Sequence, residues 1–299
     1  MVIDALYEPG SGAFQELAIV IAHGFTGDLE RPHVRRVAGI LGRHAPVVTF
    51  SFRGHGASGG HSTVGDREVL DLAAAVRWAR ELGHTRIATV GFSMGGSVVL
   101  RHAALSADTD ARTDAVVAVS APARWYYRGT APMRRLHWLV TRPVGRAVGR
   151  FGLRTRIHHR DWDPVPLSPV EAVPLIAPKP LLIVHGDRDG YFPLDHPRSL
   201  AEAAGGAAEL WLEPGMGHAE HAADDALLAR IGEWATGALR PSHSEISEWG
   251  QEHGTAVSAS EYGSSSSSES GKSSSSSSSF SSSSTSSSGL YRLDADDVS

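Results

Sequence analysis

No cysteine occurs among the 299 residues. Its absence removes disulfides, thiolate nucleophiles, iron–sulfur clusters and cysteine-held zinc from the available chemistry. Lysine is almost missing as well, with Lys179 and Lys272 its two occurrences; the arginine bias reads as compositional rather than as a signature of phosphate recognition. Long apolar runs are equally scarce. The longest near the start, Leu17–Ala22, is far short of the ~20 residues that cross a bilayer, and no basic segment precedes it. The expectation is a cytoplasmic protein with no membrane span. Nor is there a strong excess of one charge in the front of the chain: 26 basic and 25 acidic residues precede Pro241, while 2 and 8 follow it. No basic stripe of the kind that neutralises phosphates is present, so nucleic acid is not an expected partner.

What is present reads as two unlike parts. The 41% apolar and 20% charged fractions allow a packed core, yet from Pro241 onward serine runs such as Ser264–Ser268 and Ser273–Ser279 carry no core-forming side chains. The expected organisation is an enzyme-sized domain over 1–240 and a serine-rich, acidic, disordered tail over 241–299, with disorder centred on Glu245–Ser288 and Leu290–Leu293 as a potential sticker.

Within 1–240, short apolar runs alternate with segments of helical period. Leu17–Ala22, Pro46–Phe50, Arg86–Val90, Ala115–Val119 and Leu181–Val184 predict buried strands, and Ala208–Leu212 alternates as an edge strand does. Asp66–Leu82 and Asp224–Leu239 place apolar residues on one helical face. The alternation predicts an α/β architecture with a mostly parallel, doubly wound sheet. Val2–Tyr7 adds an antiparallel strand. Pro122–Pro180 is far longer than an ordinary crossover, rich in arginine and aromatics, and reads as an inserted cap over a site.

Chemistry concentrates at strand ends. After the strand ending at Val90 comes Gly91-Phe92-Ser93-Met94-Gly95, a G-x-S-x-G pentapeptide followed by helix-compatible residues. In so tight a strand-to-helix turn the flanking residues must be small and Ser93 is forced into strained backbone angles, its hydroxyl projecting above the sheet. A serine hydroxyl needs a base held by an acid. His218 follows the strand ending at Leu212, while Asp187 and Asp189 follow the strand ending at Val184, all on the edge where sites of open α/β sheets gather. Either aspartate could face the base. His23-Gly24-Phe25 after the first core strand would supply the Phe25 amide, and the residue after the nucleophile would supply that of Met94, as an oxyanion hole. His23, on that loop, is expected to serve structure rather than act as a second base.

These residues carry a family resemblance. His23-Gly24-Phe25, Phe52-Arg53-Gly54-His55-Gly56 through Gly60, Gly91–Gly96, His185–Asp189 with Pro193, and Gly217-His218 occur in the order found in the α/β-hydrolase fold family, and the chain resembles its monoglyceride-lipase and serine-aminopeptidase-like group over about residues 14–240. The resemblance implies a catalytic set of Ser93, Asp189 and His218, with Asp187 a turn residue, and an α/β-hydrolase fold with an inserted cap. One departure is Ser51, where the family usually has aspartate; losing that aspartate removes an expected tie in the Arg-Gly-His-Gly loop. The N-terminus is short, so the family's first two strands are expected to shrink to a single hairpin.

The function expected is hydrolysis of a carboxylic ester, thioester or amide through an acyl-enzyme, of a small-molecule acyl substrate, with no cofactor. An acyltransferase or cofactor-free lyase on the same scaffold is the alternative among enzymes; a binding or scaffold protein whose tail recruits partners is the alternative outside them. His158-His159-Arg160-Asp161 and His218-Ala219-Glu220-His221 group ligand-type residues, yet neither fits a zinc template, and the first reads as a solvated cap segment, so no metal is expected. Trp125, Tyr126, Tyr127 and Trp138 are candidates to line an acyl pocket or to pack cap against core. Oligomeric state is not set by the sequence.

Overall fold

The structure, a computed structural model, describes residues 1–11, 16–239 and 289–295. Its strands are β1 (Val2–Glu8), β2 (Leu17–Ala22), β3 (Val47–Phe50), β4 (Arg86–Phe92), β5 (Ala115–Val119), β6 (Leu181–Gly186), β7 (Ala208–Glu213) and β8 (Gly289–Asp294). They form one sheet in the order β7-β6-β5-β4-β2-β3-β1-β8. From β7 to β3 every pairing is parallel, whereas β1 is antiparallel to β3 and β8 to β1.

Burial on both faces explains why the parallel strands read as continuous apolar runs. Along β2, Ala18, Val20 and Ala22 join one core cluster while Leu17, Ile19 and Ile21 join the other, as a period of two demands. Helices α1 (Pro32–Leu41), α2 (Glu68–Glu81), α3 (Met94–Leu105), α7 (Asp195–Ala203), the short α8 (Ala219–Ala222) and α9 (Asp225–Ala238) cover the two faces. Val37 and Leu41 of α1 pack with Leu228 and Ile231 of α9 below one face; Leu72 and Val76 of α2 pack with Val99 and Leu100 of α3 on the other. The helix over Asp225–Ala238 starts where its cap dictates: the Asp224 side chain accepts the Leu227 N–H at 2.8 Å.

The cap is the segment that joins β5 to β6 in the chain. It contains α4 (Ala131–Thr141), α5 (Pro143–Gly152), α6 (Pro169–Ala172) and a 3₁₀ turn (Val173–Leu175). Two isolated bridges, His55 with Thr155 and Ser62 with Ile157, tie it to the loop after β3, and the Trp162 Nε1–H donates to the Thr63 carbonyl at 2.7 Å.

At the far edge the sheet departs from expectation. Val2–Glu8 is the antiparallel strand anticipated, but its outer neighbour is not a hairpin partner. It is β8, drawn from the serine-rich end, with Val2 opposite Asp294 and Tyr7 opposite Gly289. The tail expected over 241–299 is therefore corrected at its end: Gly289–Asp294 belongs to the same compact unit as Met1–Leu239, because β1 offers an unpaired edge and Trp78 an aromatic surface for Tyr291 at 4.8 Å. The expected disorder over Glu245–Ser288 lies outside the described residues. Among the described residues, no helix is long and apolar enough to cross a membrane.

Candidate active site

Four strand ends meet on the carboxyl edge of the sheet. β4 ends at Phe92 and α3 begins at Met94, so the chain reverses around Ser93 alone, with φ 52° and ψ −113°. That φ lies in the left-handed region that a side chain rarely adopts. The turn is this tight because both flanks are glycine: a Cβ on Gly91 would collide with the Gly95 carbonyl, and one on Gly95 with the Ala22 carbonyl of β2. The serine thus stands at the N-terminus of α3, where the unpaired amides and the helix dipole favour developing negative charge.

His218 Nε2 lies 2.9 Å from Ser93 Oγ, and His218 Nδ1 lies 2.8 Å from Asp189 Oδ2. Asp189 is anchored from behind, its Oδ1 accepting the amides of Tyr191 at 2.7 Å and Phe192 at 3.0 Å. Burial alone would raise its pKa. The His218 hydrogen bond and charge, with the two amides, outweigh burial and hold the carboxyl below its ordinary value. Asp187 does something else, accepting the Gly215 N–H at 2.7 Å and joining the loops after β6 and β7. Of the two aspartates, Asp189 is the one beside the imidazole.

Phe25 and Met94 line the same cavity as Ser93. Gly24 is held by Glu220, whose buried Oε1 accepts its N–H at 3.1 Å. His23 is fully engaged: Nδ1 donates to the Gly24 carbonyl at 2.7 Å and Nε2 accepts the Phe52 N–H at 3.1 Å. Burial and the neighbouring His55 push its pKa down to about 3, so it is neutral at pH 7 and has no free nitrogen for a proton. The loop that lacks the usual aspartate is tied by hydroxyls instead. Ser51 Oγ accepts the Leu29 N–H at 3.0 Å, Ser58 Oγ donates to the Ser51 carbonyl at 2.6 Å, and Arg53 is locked to Asp71 at 2.8 Å.

Three further residues support this edge, two of them without a signal in the sequence. Glu220 braces the Gly24 turn. Ser120 Oγ accepts the Ala219 N–H at 3.0 Å, fixing the residue after His218. Tyr191 stacks on the His218 ring at 4.2 Å. Only Glu220 had a sequence hint, its place two residues after the histidine.

The cavity over Ser93 measures about 750 Å³, within the range of small-molecule sites. Trp125, Tyr126 and Tyr127 line it, as does the His158–Trp162 segment, which is therefore cavity wall rather than merely solvated loop. Trp138 lies outside the lining and is 47% exposed. One group of metal-ligand type occurs among the described residues, His33, Glu220 and His221, with donor atoms within 4.8 Å of one another. Glu220 Oε1 accepts the Gly24 N–H and lies 3.8 Å from His33 Nε2, and the His33 and His221 rings are tilted by 43° with centroids 3.8 Å apart.

Residues 18–146 match the family model described as the alpha/beta hydrolase fold. The esterase LipC of Mycobacterium tuberculosis is 32% identical over 172 residues, which is 51% of this chain and 40% of that protein. The chain thus spans about two fifths of that relative's length. Among solved structures, the esterase Pf2001 of Pyrococcus furiosus superposes with a TM-score of 0.60 at 24% identity, covering 78% of this chain and 86% of that one. Est1E of Butyrivibrio proteoclasticus, determined with ferulic acid bound, gives 0.52 at 21% identity over 82% of this chain and 96% of its own. At such identities the likeness speaks for the fold, and it agrees with the strand order, the crossover helices and the matched segment: the chain has the α/β-hydrolase fold.

Proposed function

We propose that the protein hydrolyses carboxylic esters through an acyl-enzyme on Ser93, as a carboxylesterase of the monoglyceride-lipase-like group acting on small acyl substrates. The observation that carries this reading is the continuous chain from Asp189 through His218 to Ser93 Oγ, at 2.8 and 2.9 Å, at the floor of a cavity of about 750 Å³. Ser93 Oγ attacks the ester carbonyl carbon while its proton passes to His218 Nε2. The carbonyl oxygen takes the negative charge and is received by the Phe25 and Met94 amides, neither of which has an acceptor among the described residues. Collapse breaks the bond to the alcohol oxygen, which leaves with the proton from His218. Water then attacks the acyl carbon, again giving its proton to His218; Ser93 recovers the proton and the carboxylic acid departs. Asp189 holds His218 in the tautomer with Nδ1–H and stabilises the imidazolium. No cofactor enters these steps.

The test is a fluorophosphonate probe with a series of p-nitrophenyl esters of increasing chain length. Wild type should be labelled on Ser93 and turn over the esters, and Ser93→Ala should do neither. Absence of both labelling and turnover in the wild type would overturn the reading.

A further inference from the structure

The cap has a charge pattern that ester hydrolysis does not by itself require. From Pro122 to Arg160 the sequence holds ten arginines and no aspartate, glutamate or lysine. Four of the ten, Arg124, Arg128, Arg146 and Arg160, line the cavity over Ser93, where Asp161 is the single acidic side chain.

These four arginines are not equally occupied. Arg124 is paired with Asp195 and lies over the Tyr127 ring at 5.6 Å. Arg146 donates to the carbonyls of Val140 at 3.3 Å and Thr141 at 3.0 Å, at the end of α4. The guanidinium groups of Arg128 and Arg160 have no acceptor among the described residues. The Arg128 charge reaches the cavity residue His137, whose pKa is held below its ordinary value by burial first and then by that charge. Arg128 and Arg160 are exposed at the mouth of the cavity, whose lining is mostly apolar, with Trp125, Met133, Leu136 and Trp162 beside the polar Ser62, Thr63 and His158.

An apolar chamber with a nucleophile at its floor and unpaired guanidinium groups at its rim complements an amphiphile with one anionic end. We propose that the preferred substrate is an ester carrying a second, anionic group, with Arg128 and Arg160 receiving that group while the carbon body fills the apolar chamber. The inference rests on the ester-hydrolase reading above and specifies its substrate class. A neutral ester of the same shape would reach Ser93 but leave both arginines without a partner. The anion gains twice, from attraction toward the cavity before contact and from forked hydrogen bonds after it.

The experiment compares mono-p-nitrophenyl adipate with its methyl-capped, neutral counterpart, at about 20 mM and about 0.5 M salt, where the screening length changes several-fold. Wild type should favour the anionic ester at low salt by roughly tenfold or more in kcat/KM, chiefly through KM, and the ratio should shrink toward one at high salt. In the Arg128→Glu/Arg160→Glu double variant the ratio should fall below one. Arg135→Glu makes the same kind of charge change on the cap outside the cavity and should keep the wild-type preference. Equal turnover of the two esters by wild type, or a preference retained in the double variant, would overturn the anionic subsite. If the double variant does not fold, the salt response of the wild type decides. Labelling of Ser93 by the fluorophosphonate separates the two layers: labelling with equal turnover removes only the subsite, whereas no labelling and no turnover removes the hydrolase reading and the subsite with it.

Discussion

Asp187 and Asp189 sit on one loop and differ by two positions, yet their carboxylates face different tasks. Asp187 joins two loops by taking the Gly215 amide, while Asp189 is pinned by two amides so that its remaining oxygen meets His218. Asp189→Asn preserves the shape but offers an NH₂ where the imidazole needs an acceptor, selecting the wrong tautomer. It should lower kcat by about 10³- to 10⁴-fold. Asp187→Asn keeps an oxygen for Gly215 and should change kcat by less than about threefold, as expected of a surface turn. Steady-state kinetics on one p-nitrophenyl ester distinguishes the pair, and a reversed order would reassign the acid. The residues were legible to different degrees for a physical reason. Ser93 was readable because its turn demands glycines at fixed offsets. The choice between the aspartates was not settled by spacing, since an Asp-x-Asp loop can turn either carboxylate inward; the family resemblance pointed to Asp189. Glu220 was not readable as a brace because its partner is a main-chain N–H at Gly24, nearly the whole domain away in sequence.

Among the elements, the parallel strands were the most legible, since burial on both faces writes them as unbroken apolar runs. The cap helices were not. Val144, Val148 and Phe151 of α5 are 67%, 47% and 81% exposed, so the apolar pattern of that helix does not mark a buried face. β8 was misread for the opposite reason. Leu290-Tyr291-Arg292-Leu293 follows a long serine tract, and nothing local shows that an edge strand at the other end of the chain will receive it. Its anchors are specific: six register pairs with β1, the Tyr291 ring against Trp78, and the Ala295 amide on the Met1 carbonyl at 2.7 Å. Deleting residues from Gly289 onward should therefore lower the melting temperature by several degrees and expose the β1 edge to association. Tyr291→Ala alone should cost about 1 kcal/mol, the worth of one aromatic pair. Thermal melts and urea titration of the three proteins measure the two stability effects; a truncated chain as stable as the full one would mean that β8 contributes nothing to the sheet.

At the scale of the whole molecule, buried imidazoles set the response to acid. Burial is the largest cause in each: His23 and His102 are pushed down to about 3, His55 and His196 to about 4, from an ordinary value of 6.5. Between pH 6.5 and about 4 the unfolded chain therefore binds protons at these sites and the folded chain does not. Stability is fully present above pH 6.5 and is lost as pH falls through that window, at up to about 1.4 kcal/mol per pH unit for each histidine. Asp71 acts in the other direction. Burial outweighs its Arg53 contacts and raises it to about 6, so it takes up a proton in the folded state first and offsets roughly one histidine. Three uncompensated histidines then decide the sign, and the melting temperature should drop steeply from pH 6.5 to pH 4.5. His102 is the best single probe, being fully buried with neither ring nitrogen bonded among the described residues. His102→Leu removes a proton-binding site from the unfolded chain and an unsatisfied polar group from the core of α3. It should raise the melting temperature at pH 5 by more than at pH 7.5 and flatten the acid limb by about one proton. Calorimetry across that range checks the slope directly: a melting temperature independent of pH between 6.5 and 5, or an acid limb unchanged by His102→Leu, would show that these imidazoles are not held neutral by the fold.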